Sequence, residues 1–204
     1  MRDYTTHYGP VSKCLHWCIA GLVLALFGLG LWMVQLDYYH TWYHQGPALH
    51  ISGGLLLLLL TLLQLAWRQA TPAPTPLASH PHWMQRMALW VKRTLHLLLL
   101  ALLLTGYLMT TAEGQAARFF DWPLIPSIAK LNGAAVDWLG SLHLWGAWLL
   151  IALVAGHAGA ALFHHFVHKD ATLRRILPFG QLHSDPKHDP KHSSNNSVQK
   201  RKAR

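Results

Sequence analysis

The sequence predicts an all-α membrane protein, a bundle of four transmembrane helices. Three observations predict it. Of the 204 residues, 52% are hydrophobic and only 12% charged, about half the charged share of an ordinary soluble domain. The apolar residues fall in four long runs rather than in short periodic stretches. If each run crosses a bilayer once, all but two of the 17 Lys and Arg residues lie on one side. Two cysteines exclude a disulfide-stapled scaffold, and the apolar content excludes a disordered chain.

The elements follow in order. Residues 14–36 contain no charged side chain until Asp37. This run is longer than the apolar core of a secretory leader, about 7–15 residues, and no small-x-small cleavage site follows it. Residues 49–67 form the second run, centred on the all-leucine block from Leu55 to Leu60. Pro72, Pro74, Pro76 and Pro81 then forbid its continuation. The third run is residues 94–111 and the fourth residues 142–166. Each reaches the roughly 18 apolar residues that mark a span. Lipid leaves no partner for an open backbone, so such spans are helical. Residues 113–141 are the longest connection on their side; Phe119, Phe120, Trp122, Pro123 and Trp138 suit a lid at the membrane interface. Only Arg118 and Lys130 lie on that side, which places both termini in the cytoplasm by the positive-inside rule. Residues 1–179 are therefore read as one membrane domain. Residues 180–204 are read as a basic, disordered cytoplasmic tail suited to anionic lipid rather than to nucleic acid. No internal repeat is evident.

Ionisable residues inside a span are costly and point to function. Here nearly all of them are histidines: His16, His50, His96, His143, His157 and His164. No Asp or Glu lies deep in a span, so a carboxylate proton relay has no support. His143 and His157 are 14 residues apart on one helix. At 3.6 residues per turn they share a face and stand about 21 Å apart along the axis. That is too far to hold one ion together, but it suits two stacked cofactors. Depth in the bilayer pairs His50 with His143 and His16 with His157. His164, seven residues beyond His157, matches the depth of His16 about as well. Neutral imidazole is a good axial ligand for iron, and two of them hold a haem without covalent attachment. The absence of Cys-x-x-Cys-His excludes a c-type linkage. Gly21, Gly53, Gly54, Gly146, Gly156 and Gly159 leave clearance for a flat macrocycle, or equally for close helix packing. His96, near Lys92 and Arg93, is read as structural, and Cys14 and Cys18 as core packing.

With these residues in place, the chain resembles the bacterial cytochrome b561 family, the di-haem four-helix membrane cytochromes. The resemblance rests on His16-Trp17, on His50-Ile51-Ser52-Gly53-Gly54 and on Thr105-Gly106-Tyr107. It continues in the fourth span with His143, His157 and His164-His165, and ends with Lys169-Asp170-Ala171-Thr172-Leu173 and Pro178. It implies a bundle enclosing two b-type haems, with His16, His50, His143 and His157 as axial ligands. It also implies an electron carrier of the bacterial inner membrane that exchanges electrons with the quinone pool, ubiquinone being the acceptor, and it gives His164 a quinone-binding role. Departures from the family pattern are Lys92 and His96 in place of a His–Tyr pair, Gln64 where an Arg is usual, and no Pro before Thr105. Arg68 and Arg93, with Lys92, remain candidates to pair with haem propionates.

The donor is left open. Superoxide would be oxidised at the external face, yet Arg118 and Lys130 are outnumbered there by Asp37, Glu113, Asp121 and Asp137, which does not steer an anion inward. The alternatives are a cytochrome subunit serving a periplasmic redox partner, and a metal transporter that uses the histidines.

Overall fold

A computed structural model describes residue 3 and residues 7–77, 80–120 and 122–178. The tail expected over residues 180–204 lies outside the described residues. The chain forms α1 (Pro10–Met33), α2 (Gln45–Ala70), α3 (His82–Thr110) and α4 (Gly133–Phe166). Between α3 and α4 lies an antiparallel ribbon of β1 (Ala117–Phe119) and β2 (Trp122–Ile125). All four helices are long and apolar enough to cross a membrane.

Local chemistry sets the helix ends. Pro10 opens α1, where its missing N–H costs nothing. Thr71, held extended before Pro72, ends α2. Pro81, also extended, precedes α3. The Asn132 side chain accepts from the Ala135 N–H at 2.9 Å and caps α4. That cap starts α4 at Gly133, about two and a half turns ahead of the apolar run.

α1 packs on α2 and α3 on α4, so the bundle is two helical hairpins that meet chiefly along α2 and α3. Ile19, Val23 and Leu26 of α1, Leu57 of α2, Leu99 and Leu102 of α3 and Leu150 of α4 form the shared core. Large apolar side chains such as Leu24, Leu59, Leu97 and Leu149 are exposed around the outside. A water-soluble bundle would not tolerate such a surface, whereas lipid favours it. Cys14 and Cys18 belong to this outer surface, with their sulfurs 3.9 Å apart, and are not core residues as expected. The i, i+4 spacing put them on one face but did not say which.

The two ends of the bundle differ. At one end the segment read as a lid contains the β1–β2 ribbon. Phe120, at its turn, has a positive φ of 51°, a costly conformation for a bulky residue. Its N–H donates to Ser52 Oγ of α2 at 2.8 Å, which ties the ribbon to the bundle. The Tyr107 hydroxyl donates to the Pro126 carbonyl at 2.6 Å, and Ser127 Oγ to the Thr111 carbonyl at 2.9 Å. At the other end the terminal segments cross. Trp17 Nε1 donates to the Ile176 carbonyl at 3.0 Å, Arg175 Nη1 to the Thr75 carbonyl at 2.9 Å, and Arg68 pairs with Asp3 at 2.7 Å.

Candidate functional site

The four histidines singled out by spacing are all half-buried and divide between the two ends. Near the ribbon, His50 of α2 and His143 of α4 face each other across the two hairpins, with ring centroids 6.2 Å apart and ring planes inclined at 70°. An ion bound by two imidazole nitrogens at about 2 Å from each sets ring centres at about this separation.

The two rings have alike helix and glycine surroundings but differ in their hydrogen bonds. His143 Nδ1 lies 3.1 Å from the Leu102 carbonyl and 3.0 Å from Thr105 Oγ1. Thr105 spends its own proton on the same carbonyl at 2.9 Å. A carbonyl only accepts, so Nδ1 carries the proton and Nε2 keeps its lone pair. This is the orientation in which a metal-ligating histidine is usually held. Gly106 makes the approach feasible, because a Cβ there would stand 3.2 Å from His143 Cε1. On the other hairpin the Leu26 carbonyl faces His50. His50 Nδ1 is buried and makes no hydrogen bond of ordinary geometry. A Cβ on Gly30 would stand 3.3 Å from His50 Cε1. Three residues after each histidine comes a glycine, Gly53 or Gly146, against which Leu26 or Leu102 is wedged. A Cβ at these glycines would come within 2.7 and 3.0 Å of the leucine methyls. Each hairpin therefore carries His-x-x-Gly on one helix facing Leu-x-x-x-Gly on the other. The sequence reading found no repeat and singled out neither Gly30 nor the two leucine carbonyls. Four positions spread over two helices leave no linear signal.

The terminal end holds His16 of α1 and His157 of α4. They interact electrostatically without ring contact. Basic side chains lie around them: Arg68, itself paired with Asp3, and His96 near His16, and Lys92 near His157. Arg68 also lies 4.7 Å over the Tyr8 ring. Arg93, the other arginine proposed for a propionate, lies 5.9 Å over Trp90 instead. His96 has both nitrogens engaged, Nδ1 with the Lys92 carbonyl at 2.7 Å and Nε2 with the Gln64 side chain at 3.0 Å. The two contacts hold the ring between α2 and α3.

His164 is not in either tier. Its Nδ1 lies 2.7 Å from Asp170 Oδ2, and His80 Nε2 lies 2.9 Å from the same oxygen. Burial pushes the Asp170 carboxyl up, but hydrogen bonds from Thr172, His80 and His164 outweigh it and hold the group well below the ordinary carboxylate range. The sequence reading quoted Asp170 only within a motif and left His80 in a loop.

The donor set and its supports fit a planar iron cofactor with paired imidazole ligands, most fully at the ribbon end. A family model described as prokaryotic cytochrome b561 matches residues 7–179. Among relatives, the chain is 42% identical over 178 residues to cytochrome b561 homolog 2 of Escherichia coli, covering 87% of this chain and 94% of that one. It is 32% identical over 175 residues to cytochrome b562 of Cereibacter sphaeroides, covering 83% and 94%. It is 28% identical over 176 residues to a Yersinia pestis protein named Probable superoxide oxidase CybB, covering 84% and 96%.

Proposed function

Because the chain belongs to the prokaryotic cytochrome b561 family, electron carriers that hold b-type haem, we propose that it is a di-haem cytochrome passing electrons across the bilayer to the quinone pool. The observation that carries this reading is the His50–His143 pair, 6.2 Å apart between hairpins, with His143 fixed in the ligating tautomer. Two haems supply reversible one-electron storage when bound. His50 and His143 hold the one near the ribbon, and His16 and His157 the one near the termini. Leu102 and Thr105 orient His143 and raise its basicity by accepting from Nδ1–H. The core leucines keep water from both tiers. Arg68 and Lys92 lie where they can neutralise propionates at the terminal tier, and Arg93 would join them only by leaving Trp90.

The quinone, ubiquinone by this reading, binds at the terminal end, where His164 offers Nε2 while Asp170 holds Nδ1. The excess of Lys and Arg in the terminal segments supports a cytoplasmic position for that end, by the positive-inside rule. Superoxide is the proposed donor at the ribbon end. The relative that bears the superoxide oxidase name supports it; the charge of that side does not, since its acidic residues outnumber Arg118 and Lys130.

Two measurements test this. Purified protein is expected to carry two haems per chain, with His50→Ala and His143→Ala each losing one and His16→Ala and His157→Ala each losing the other. Full haem content in all four variants overturns the assignment. In stopped flow, superoxide is expected to reduce the haem faster than it dismutates by itself; no such reduction removes superoxide as donor.

A further inference from the structure

The cluster of His80, His164 and Asp170 is not used by the two histidine tiers. Its three donors come from separate stretches of chain: the end of the α2–α3 loop, the last turn of α4 and the segment after it. Their ligand atoms, His80 Nε2, His164 Nδ1 and an Asp170 oxygen, all lie within 4.8 Å of one another. From the two histidine–carboxylate contacts and this convergence we infer that the terminal end carries a binding site for a divalent transition-metal cation of the zinc class.

The donor chemistry fits. Two imidazoles and one carboxylate, with a further position left open, are a recurring ligand set for zinc and ferrous ions. The contacts of 2.7 and 2.9 Å to one carboxylate oxygen are hydrogen bonds. Opening them by a few tenths of an ångström admits a cation at bonds of about 2 Å, with the proton on each ligating nitrogen moving to the other ring nitrogen. The ligands are also held from behind. The Thr172 N–H donates to Asp170 Oδ1 at 2.8 Å, which leaves Oδ2 for the cation. The Asp170 N–H donates to the His164 carbonyl at 3.2 Å, and the His80 carbonyl accepts from Gln85 at 2.8 Å. Such outer contacts fix ligand orientation before binding. The three side chains are partly exposed, at 18%, 16% and 13%. The His168 ring, 5.1 Å from that of His164, stands at the same mouth.

The site does not rest on the quinone reading, because its test reads bound metal. The holoprotein carries His183→Gln, His188→Gln and His192→Gln to remove the imidazoles of the tail. It is titrated with zinc and the bound metal is counted after dialysis. One zinc per chain is expected. His80→Ala and Asp170→Asn are each expected to weaken binding about tenfold or more, with the haem spectrum reporting that the bundle is intact. His80→Cys supplies a zinc ligand but restores no histidine–aspartate bond, and is expected to recover most of the affinity. Absorption spectroscopy at the zinc edge is expected to show nitrogen and oxygen neighbours with imidazole scattering. Equal zinc binding by wild type, His80→Ala and Asp170→Asn overturns the proposal, as does His80→Cys behaving like His80→Ala. Zinc that binds here and also slows quinone exchange supports both readings. Zinc that binds without slowing it supports the cation site and removes His164 from the quinone.

Discussion

The ribbon tier and the terminal tier present the same side chain for the same proposed task and support it differently. At the ribbon end the rings of His50 and His143 already face each other at 6.2 Å. Backbone carbonyls stand behind them and glycines lie beneath them. At the terminal end His16 and His157 lack ring contact, and their near neighbours are Arg68, Lys92 and His96. The ribbon tier is shaped by neutral groups that fix geometry. The terminal tier is shaped by charges that act at a distance. Two chemically alike haems would therefore differ in potential for reasons this chain supplies. With a haem in each tier, as proposed, basic side chains at the terminal end would favour the reduced, less positive state there and so draw electrons from the ribbon toward the termini.

The largest effect should come from the glycine that seats His143. In Gly106→Val the branched side chain meets a ring whose Cε1 already lies 3.2 Å from a simple Cβ. The ring must leave the facing geometry, and loss of the ribbon-tier haem is expected, seen as about half the wild-type haem per chain with the other haem's spectrum intact. Gly30→Val, at 3.3 Å from His50 Cε1, should do the same. If the hairpins are equivalent in function as well as geometry, the two variants lose the same haem. Loss of different haems breaks the comparison.

A smaller effect tests the charged end. Lys92→Gln removes a cation that acts on His157. At an effective dielectric constant near 20, a charge about 10 Å away is worth roughly 1–2 kcal/mol. As a cation it favours the reduced state, so its loss lowers the terminal-tier potential, by tens of millivolts. A redox titration followed in the visible band should show the terminal-tier step moving down and the ribbon-tier step staying within a few millivolts. Equal movement of both steps would mean that charge does not distinguish the tiers.

What could be seen in the sequence follows the same division. The four spans were legible because lipid demands long apolar runs, and the tiers because 14 residues return a helix to the same face. The extra turns of α4 from Gly133 were not, because polar and small residues outside the hydrocarbon carry no such demand. The ribbon was not legible either: Ala117-Arg118-Phe119 is too short to show alternation, and its position is set by Ser52 and Tyr107, distant in sequence. Gly106 was visible as part of a motif, but its partner Gly30 was not, since only the packed hairpin shows what each glycine admits. Asp170 and His80 are 90 residues apart, and nothing local announces that they share an oxygen.

The smallest effects separate a ligand from a support. Thr105→Val keeps the volume of the side chain and removes one acceptor from His143 Nδ1–H, while the Leu102 carbonyl remains. Both haems should stay bound, and the ribbon-tier potential should rise slightly as the imidazole becomes a weaker donor to the oxidised iron. His96→Ala removes the bridge between Gln64 and the Lys92 carbonyl but no proposed ligand. It should retain both haems and lose about 1 kcal/mol of stability or slightly more, the worth of a partly buried hydrogen-bonded contact, measurable as a lower midpoint in thermal loss of the haem spectrum. A His96→Ala protein that lacked a haem would instead place His96 among the ligands, and the terminal tier would have to be redrawn with three candidate imidazoles around one iron.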